Sequence, residues 1–297
     1  MKKIAIDIQS NALGDLIAFI PYANKYAVDN KVEVTLIANL IFSTLFEKSY
    51  PDIKIVSNQN FTDDNIYDNV MHYTHDMTKS LQSGFAIFLG YEIAEYIRPK
   101  IDSFKTKRPI QSEYVTFSVH STAQLKYWNA PGNSIKSRET GENWNELCNL
   151  LRKKSITPVC LSQYEMFGNL RKNMMNGLPK KAVKKIGLDL KDVINYIEHS
   201  KFYIGPSTGL AWVAHALGKP VVMISNFTDD WNEFDLSLSD YKRITNKSAC
   251  HGCWKEGFFD KTNWASCPKY EGTERQFECH TSITPNRVFE EIQDWLN

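Results

Sequence analysis

Apolar positions along the chain fall into short β-rich runs separated by longer segments with helical spacing, the rhythm of an alternating α/β fold. Ile4 to Ile8 reads as a strand, Ser10-Asn11-Ala12-Leu13-Gly14-Asp15 as a turn and Leu16 to Ala27 as a helix. Lys31 to Ala38 alternates like a second strand, and a right-handed strand–helix–strand unit implies a parallel sheet. Asp52 to Val56 and Asn69 to Tyr73 follow as candidate strands, and Phe85 to Arg98 keeps helical spacing until Pro99 stops it. Ile101 to Pro109, mixing Lys, Arg and Pro, reads as a linker and sets a boundary near residue 110. Residues 1–110 and 111–297 are then two Rossmann-like domains. In the second, strands are expected at Tyr114 to Val119, Thr157 to Leu161, Phe202 to Gly205 and Val221 to Ser225. Helices are expected at Asn143 to Lys153, Leu190 to Ser200 and Leu210 to Leu217.

Composition supports cores for both halves: 42% of the 297 residues are hydrophobic. Thirty-five basic residues against 34 acidic ones leave a net charge of +1, which supplies no global attraction for a polyanion. The opening Met1-Lys2-Lys3 reaches Asp7 too soon for a signal peptide, and no apolar run is long enough to span a membrane. A soluble, cytoplasmic protein is expected. Of its six cysteines, Cys148 and Cys160 stand alone, while Cys250, Cys253, Cys267 and Cys279 share one 30-residue stretch. Without a secretory segment, that clustering favours metal thiolates over disulfides.

Three stretches carry candidate chemistry. Phe202 to Trp212 reads as a strand running through Gly205-Pro206-Ser207-Thr208-Gly209 into a helix. Backbone N–H groups and the positive helix end there suit a diphosphate, with hydroxyls from Ser207 and Thr208; simple helix capping is the plainer role. Asp15 follows the first strand, at the edge where open α/β sheets place ligands, and can take a hydroxyl proton or cap the helix. Lys126 follows the first strand of the second half; its charge can neutralise a departing diphosphate, with Ser121 and Thr122 bonding the oxygens. The Cys250-x2-Cys253-x13-Cys267-x11-Cys279 spacing suits a closed tetrahedral site of structural rather than catalytic type, and alone favours zinc. Tyr127, Trp128, Phe227 and Trp231 can frame a base or sugar but more often build core, and Glu233 is a weaker candidate for sugar recognition. His72 and His75 read as surface residues, and His251 and His280 as surface residues or neighbours of the metal ligands.

The segment from Gly205 to Val222 resembles the donor-binding segment of heptosyltransferases, and is closer still to that of the bacterial autotransporter heptosyltransferases. Ala12 to Tyr22 is similar to the Gly-Asp motif of that family, and Ser118 to Asn129 and the four cysteines match in the same order. Lipopolysaccharide heptosyltransferases usually carry Asp at the place of Ser207 and His at the place of Trp212. The resemblance implies a glycosyltransferase-B fold with an interdomain cleft and a C-terminal four-cysteine metal finger at 250–279. It implies an inverting glycosyltransferase that moves heptose or a similar sugar from a nucleotide-diphosphate donor to an acceptor hydroxyl. Asp15 is then the general base, Ser121, Thr122, Lys126, Ser207, Thr208 and Gly209 hold the donor, and no catalytic metal is needed. The family's finger binds iron, which tilts the structural metal from zinc to iron. Beginning at its first strand, the chain is expected to lack the extra N-terminal region of the family.

The acceptor stays open between a protein and a glycan, and the oligomeric state is also open. A hydroxylated nucleobase in viral DNA is a further acceptor, permitted by basic stretches at Lys100 to Arg108 and Lys180 to Lys185. A non-enzymatic binding module built on the cysteine finger is the alternative outside enzymology.

Overall fold

The computed structural model describes residues 1–57, 59, 61, 66–92, 95–104, 106–123, 126–128, 141–166, 176–256, 260 and 266–296. Ile93 and Ala94 of the expected helix, Lys105 of the linker, and Gln124, Leu125 and Asn129 around Lys126 lie outside the described residues. The chain divides into two compact units.

The first unit comprises Met1–Phe104 together with His215–Gly218 and Trp231–Asp235. Its elements are β1 (Lys3–Asp7), α1 (Leu13–Asn30), β2 (Glu33–Ala38), β3 (Ile53–Ser57), β4 (Asn69–His72) and α2 (Leu81–Phe88). The sheet order is β3-β2-β1-β4 with every pairing parallel. Parallel strands demand apolar cover, and α1 supplies it by burying Leu16, Ile17, Phe19, Ile20 and Tyr22. The chain leaves β1 for β2 on one side and reaches β4 on the other, so β1 and β4 flank a topological switch point. Ligands of open α/β sheets bind beyond the carboxyl ends of such strands.

The helix expected over Phe85 to Arg98 is corrected to Leu81–Phe88. Ser80 caps its start by accepting the Ser83 N–H, and Gly90, at φ +91°, turns the chain away from the helical path. Beyond it, the Tyr22 hydroxyl donates to Glu95 O at 2.7 Å and accepts from Ile97 N at 3.2 Å.

The second unit comprises Lys105–Ala214, Lys219–Asp230 and Leu236–Asn297. Its strands are β5 (Tyr114–Phe117), β6 (Thr157–Ser162), β7 (Val183–Ile186), β8 (Tyr203–Gly205), β9 (Val221–Ile224) and β10 (Tyr241–Ile244). Its helices are α3 (Glu142–Lys153), α4 (Leu190–Glu198), α5 (Gly209–Ala216), α6 (Glu278–Thr281), α7 (Pro285–Glu291) and α8 (Gln293–Leu296). All six strands pair in parallel in the order β7-β6-β5-β8-β9-β10, the winding of a dinucleotide-type fold with its switch point between β5 and β8. Phe117 stacks on Trp144, which meets Trp128 edge-on, at the centre of the core.

Candidate active site

Strand order alone points to two places: the loops after β5 and β8 in the second unit, and those after β1 and β4 in the first. The expected donor and base residues stand on these loops.

In the second unit, Lys126 Nζ donates to both the carbonyl and the hydroxyl of Ser207, each at 3.0 Å, and lies 5.2 Å from the centre of the Phe227 ring. The ammonium is thereby fixed beside the residue that leads through Thr208 into α5. A cation next to the positive end of a helix makes a strongly anion-attracting spot. Thr208 Oγ1 is 3.2 Å from the hydroxyl of Tyr203, which also bonds Ser118 Oγ. Burial pushes the Tyr203 phenol up to about 12, so it stays neutral and acts as a brace. Gly205 is required by that brace, because a Cβ there would lie 2.7 Å from the Tyr203 hydroxyl.

The structure therefore brings Lys126, Ser207 and Thr208 together, with Gly209 as the first residue of α5. Ser121 turns its hydroxyl back to Ala123 O at 2.8 Å, while Thr122 is exposed. His120, in the same loop, is 3.4 Å from Ser162 Oγ through Nδ1, and burial drives its pKa down to about 3.

In the first unit, half-buried Asp15 sits in the first turn of α1, whose N-cap position is Ala12. Ser10 Oγ donates to its Oδ2 at 2.6 Å and accepts from Ala12 N at 3.1 Å, so one serine organises both the turn and the carboxylate. His72 is exposed and pairs with Asp7 Oδ2 at 3.3 Å. His75 departs from the surface reading: it is half-buried, and its Nδ1 lies 2.8 Å from the Tyr73 hydroxyl. The contact is local, two residues apart, and what the sequence does not signal is the packing of α1 and α2 around that tyrosine.

The four cysteines of the expected finger lie in the second unit. Cys250 and Cys253 are joined by a side-chain hydrogen bond, and Gly252 between them takes φ +74°, where a Cβ would meet Asp229 Oδ1 at 2.6 Å. Cys253 and Cys267 pack with Phe227 and Phe277. Burial pushes the Cys253 thiol up to about 12, with smaller contributions from Cys250, Glu256 and Cys267. Burial and then the charges of Cys253, Cys267 and Cys250 push Cys279 up further. Such coupling requires all four sulfurs to share one neighbourhood, and thiols so perturbed are protonated until a cation displaces the protons. Among the described residues, no three His, Cys, Asp or Glu side chains stand at metal-ligating spacing. The chemistry of the donor set suits a thiophilic ion.

Tyr127 and Trp128 are core residues: their polar atoms donate to Gly177 O at 2.7 Å and Ile283 O at 2.8 Å. Phe227 is buried, and Trp231 is 43% exposed. His280 is buried and reaches Tyr127 O through Nδ1 at 2.9 Å, while His251 holds Ala249 O at 3.0 Å. No described helix is long and apolar enough to cross a membrane.

No family model matches the chain. Individual proteins do. The autotransporter heptosyltransferase Aah of Escherichia coli is 31% identical over 97% of this chain and 72% of its own length. The crystal structure of TibC, a dodecameric iron-containing heptosyltransferase, in complex with ADP-D-beta-D-heptose superimposes with a TM-score of 0.84 at 25% identity, covering all of this chain and 77% of that one. The E. coli ADP-heptose lipopolysaccharide heptosyltransferase II shares the fold alone, with a TM-score of 0.59 at 12% identity over 100% of this chain and 98% of that one. With two parallel α/β units, a braced Lys–Ser loop at one switch point, a carboxylate at the other and 31% identity along nearly its whole length, the chain belongs to the autotransporter heptosyltransferase family of glycosyltransferases.

Proposed function

We propose that the protein transfers heptose from ADP-heptose to an acceptor hydroxyl with inversion at the anomeric carbon. The observation that carries this reading is Lys126 Nζ, held 3.0 Å from both oxygens of Ser207 just ahead of α5. A fixed ammonium and a helix N-terminus stabilise the charge that builds on the leaving diphosphate without reorganising during reaction. Ser207, Thr208 and Gly209 contribute hydroxyls and N–H groups to the same oxygens, and Ser121 and Thr122 stand on the neighbouring loop. Asp15, oriented by Ser10, takes the proton of the acceptor hydroxyl as its oxygen attacks. A single displacement of this kind needs no second carboxylate.

The two domains divide the work near residue 110, with the acceptor side N-terminal and the donor side C-terminal. Cys250, Cys253, Cys267 and Cys279 form a finger holding a structural metal, with iron favoured over zinc by the iron-containing relative. The metal supplies folding energy by cross-linking the loops. TibC is dodecameric, which supports assembly of this chain into an oligomer. The names of the autotransporter heptosyltransferase relatives favour a protein acceptor over DNA.

Two measurements test the reading. ADP-heptose at 100 times its dissociation constant should stabilise the folded protein by about 2.7 kcal/mol, visible as a raised Tm. Release of ADP should depend on an acceptor and yield a product of inverted anomeric configuration. A Tm indifferent to ADP-heptose and to other nucleotide sugars would remove the proposal.

A further inference from the structure

Asp15 and His75 leave the sheet of the first unit from the two strands that flank its switch point, where Asp7 of β1 pairs in register with His72 of β4. Packing draws Tyr73, two residues before His75, against α1. Phe19, one helical turn beyond Asp15 on the same face of α1, meets Tyr73 edge-on at 5.1 Å and stacks on Phe85 at 4.6 Å. Phe85 and Phe88 also close on the Tyr73 ring, at 5.1 Å and 5.2 Å. Within this aromatic cage, the Tyr73 hydroxyl has one polar partner among the described residues, His75 Nδ1 at 2.8 Å. Gly84 of α2 leaves the room: a Cβ there would lie 2.8 Å from the Tyr73 hydroxyl and 3.4 Å from His75 Nδ1.

Burial, and then the charges of Asp15 and Asp76, raise the Tyr73 pKa, so the phenol keeps its proton, and its one partner for that proton among the described residues is His75 Nδ1. An imidazole that accepts at Nδ1 carries its own proton on Nε2. Burial lowers the His75 pKa against the pull of Asp15 and Asp76, which keeps the ring neutral. The charged groups acting on it are Asp15 from α1 and Asp76 on its own segment, and Asp76 in turn feels Lys79 from the turn before α2. His75 Nε2 is enclosed and has no hydrogen-bond partner among the described residues. An unused buried donor costs free energy, which a hydrogen bond to a carboxylate recovers.

Resting on the reading of Asp15 as the base, we propose that His75 is its positioning residue, held by Tyr73 in the Nε2–H tautomer and donating to the Asp15 carboxylate alongside Ser10. The bond keeps Asp15 ionised and aimed. In the step it serves, the acceptor proton moves to Asp15, and the freed O–H electron pair forms the bond to the anomeric carbon. The pair of the broken glycosidic C–O bond leaves with the diphosphate. His75 stays neutral throughout.

The test is a carbon-13 NMR titration of the Asp15 carboxylate in the full chain without substrate. His75→Leu removes the donor and should raise the apparent pKa of Asp15 by about half to one unit, a three- to tenfold gain in proton affinity. His75→Gln, whose amide also donates, should restore most of the wild-type value. Tyr73→Phe keeps the ring stacking but releases the tautomer, and should give an intermediate shift. Nitrogen-15 shifts of wild-type His75 should show a neutral ring protonated on Nε2. An Asp15 titration unchanged in all three variants, or a ring protonated on Nδ1, overturns the proposal. The base reading fails separately, if Asp15→Asn transfers heptose at the wild-type rate.

Discussion

The two switch points of the molecule share one topology and carry opposite electrostatics. At the first, Ser10 holds a carboxylate in the first turn of α1, and a half-buried imidazole bonds Tyr73, whose ring packs with Phe19, Phe85 and Phe88. At the second, an ammonium is clamped to Ser207 ahead of a helix N-terminus, with Thr208 braced by Tyr203. The parallel sheet fixes where a ligand can sit, and the loop chemistry fixes what kind. In the proposed reading one site receives a proton and the other a diphosphate.

The comparison breaks most visibly in turnover. Asp15→Asn keeps the shape and removes the base, so steady-state heptose transfer should fall by roughly two to four orders of magnitude. Wild-type turnover in that variant would leave the first site without its chemistry. Lys126→Ala should lower kcat by about ten- to a hundredfold, because its charge opposes the charge developing on the diphosphate. A kcat within twofold of wild type would reduce Lys126 to a loop anchor.

Gly205→Ala tests the brace behind the donor loop. Its Cβ would lie 2.7 Å from the Tyr203 hydroxyl, and forcing that ring aside should cost about 1–3 kcal/mol in urea unfolding. An unchanged midpoint would show that the Ser118–Tyr203–Thr208 chain yields freely. A further effect is in pH. Buried His120 has a folded pKa near 3, below its unfolded value, so the unfolded chain binds more protons between about 3 and 6.5. Its contribution to stability is full above that window and is lost as pH falls through it. His120→Gln should flatten the acid slope of unfolding by at most about 1.4 kcal/mol per pH unit.

The first half of the fold was legible because β1, α1 and β2 obey their own periodicities, and α1 runs from Leu13 through Pro21 to Asn30, longer than its apolar pattern suggests. β7, Val-Lys-Lys-Ile, was hidden because an edge strand exposes its lysines, and those residues read as a basic stretch instead. β10 and the terminal helices α6 to α8 carry too few apolar positions each to declare themselves. The loop between β8 and α5 was legible because strand, small residues and helix are contiguous from Phe202 to Ala216. The Tyr73–His75 pair was not, because its surroundings come from α1 and α2, distant in sequence, and Gly84 shows its purpose only once the helix is docked.

The division of labour between the two loops is tested most directly by calorimetric titration of ADP-heptose into wild type, Asp15→Asn and Lys126→Ala. The account predicts a Kd within about twofold of wild type for Asp15→Asn and at least about tenfold weaker for Lys126→Ala, the loss of a charge-assisted contact. Donor binding lost with Asp15 and retained without Lys126 would contradict it.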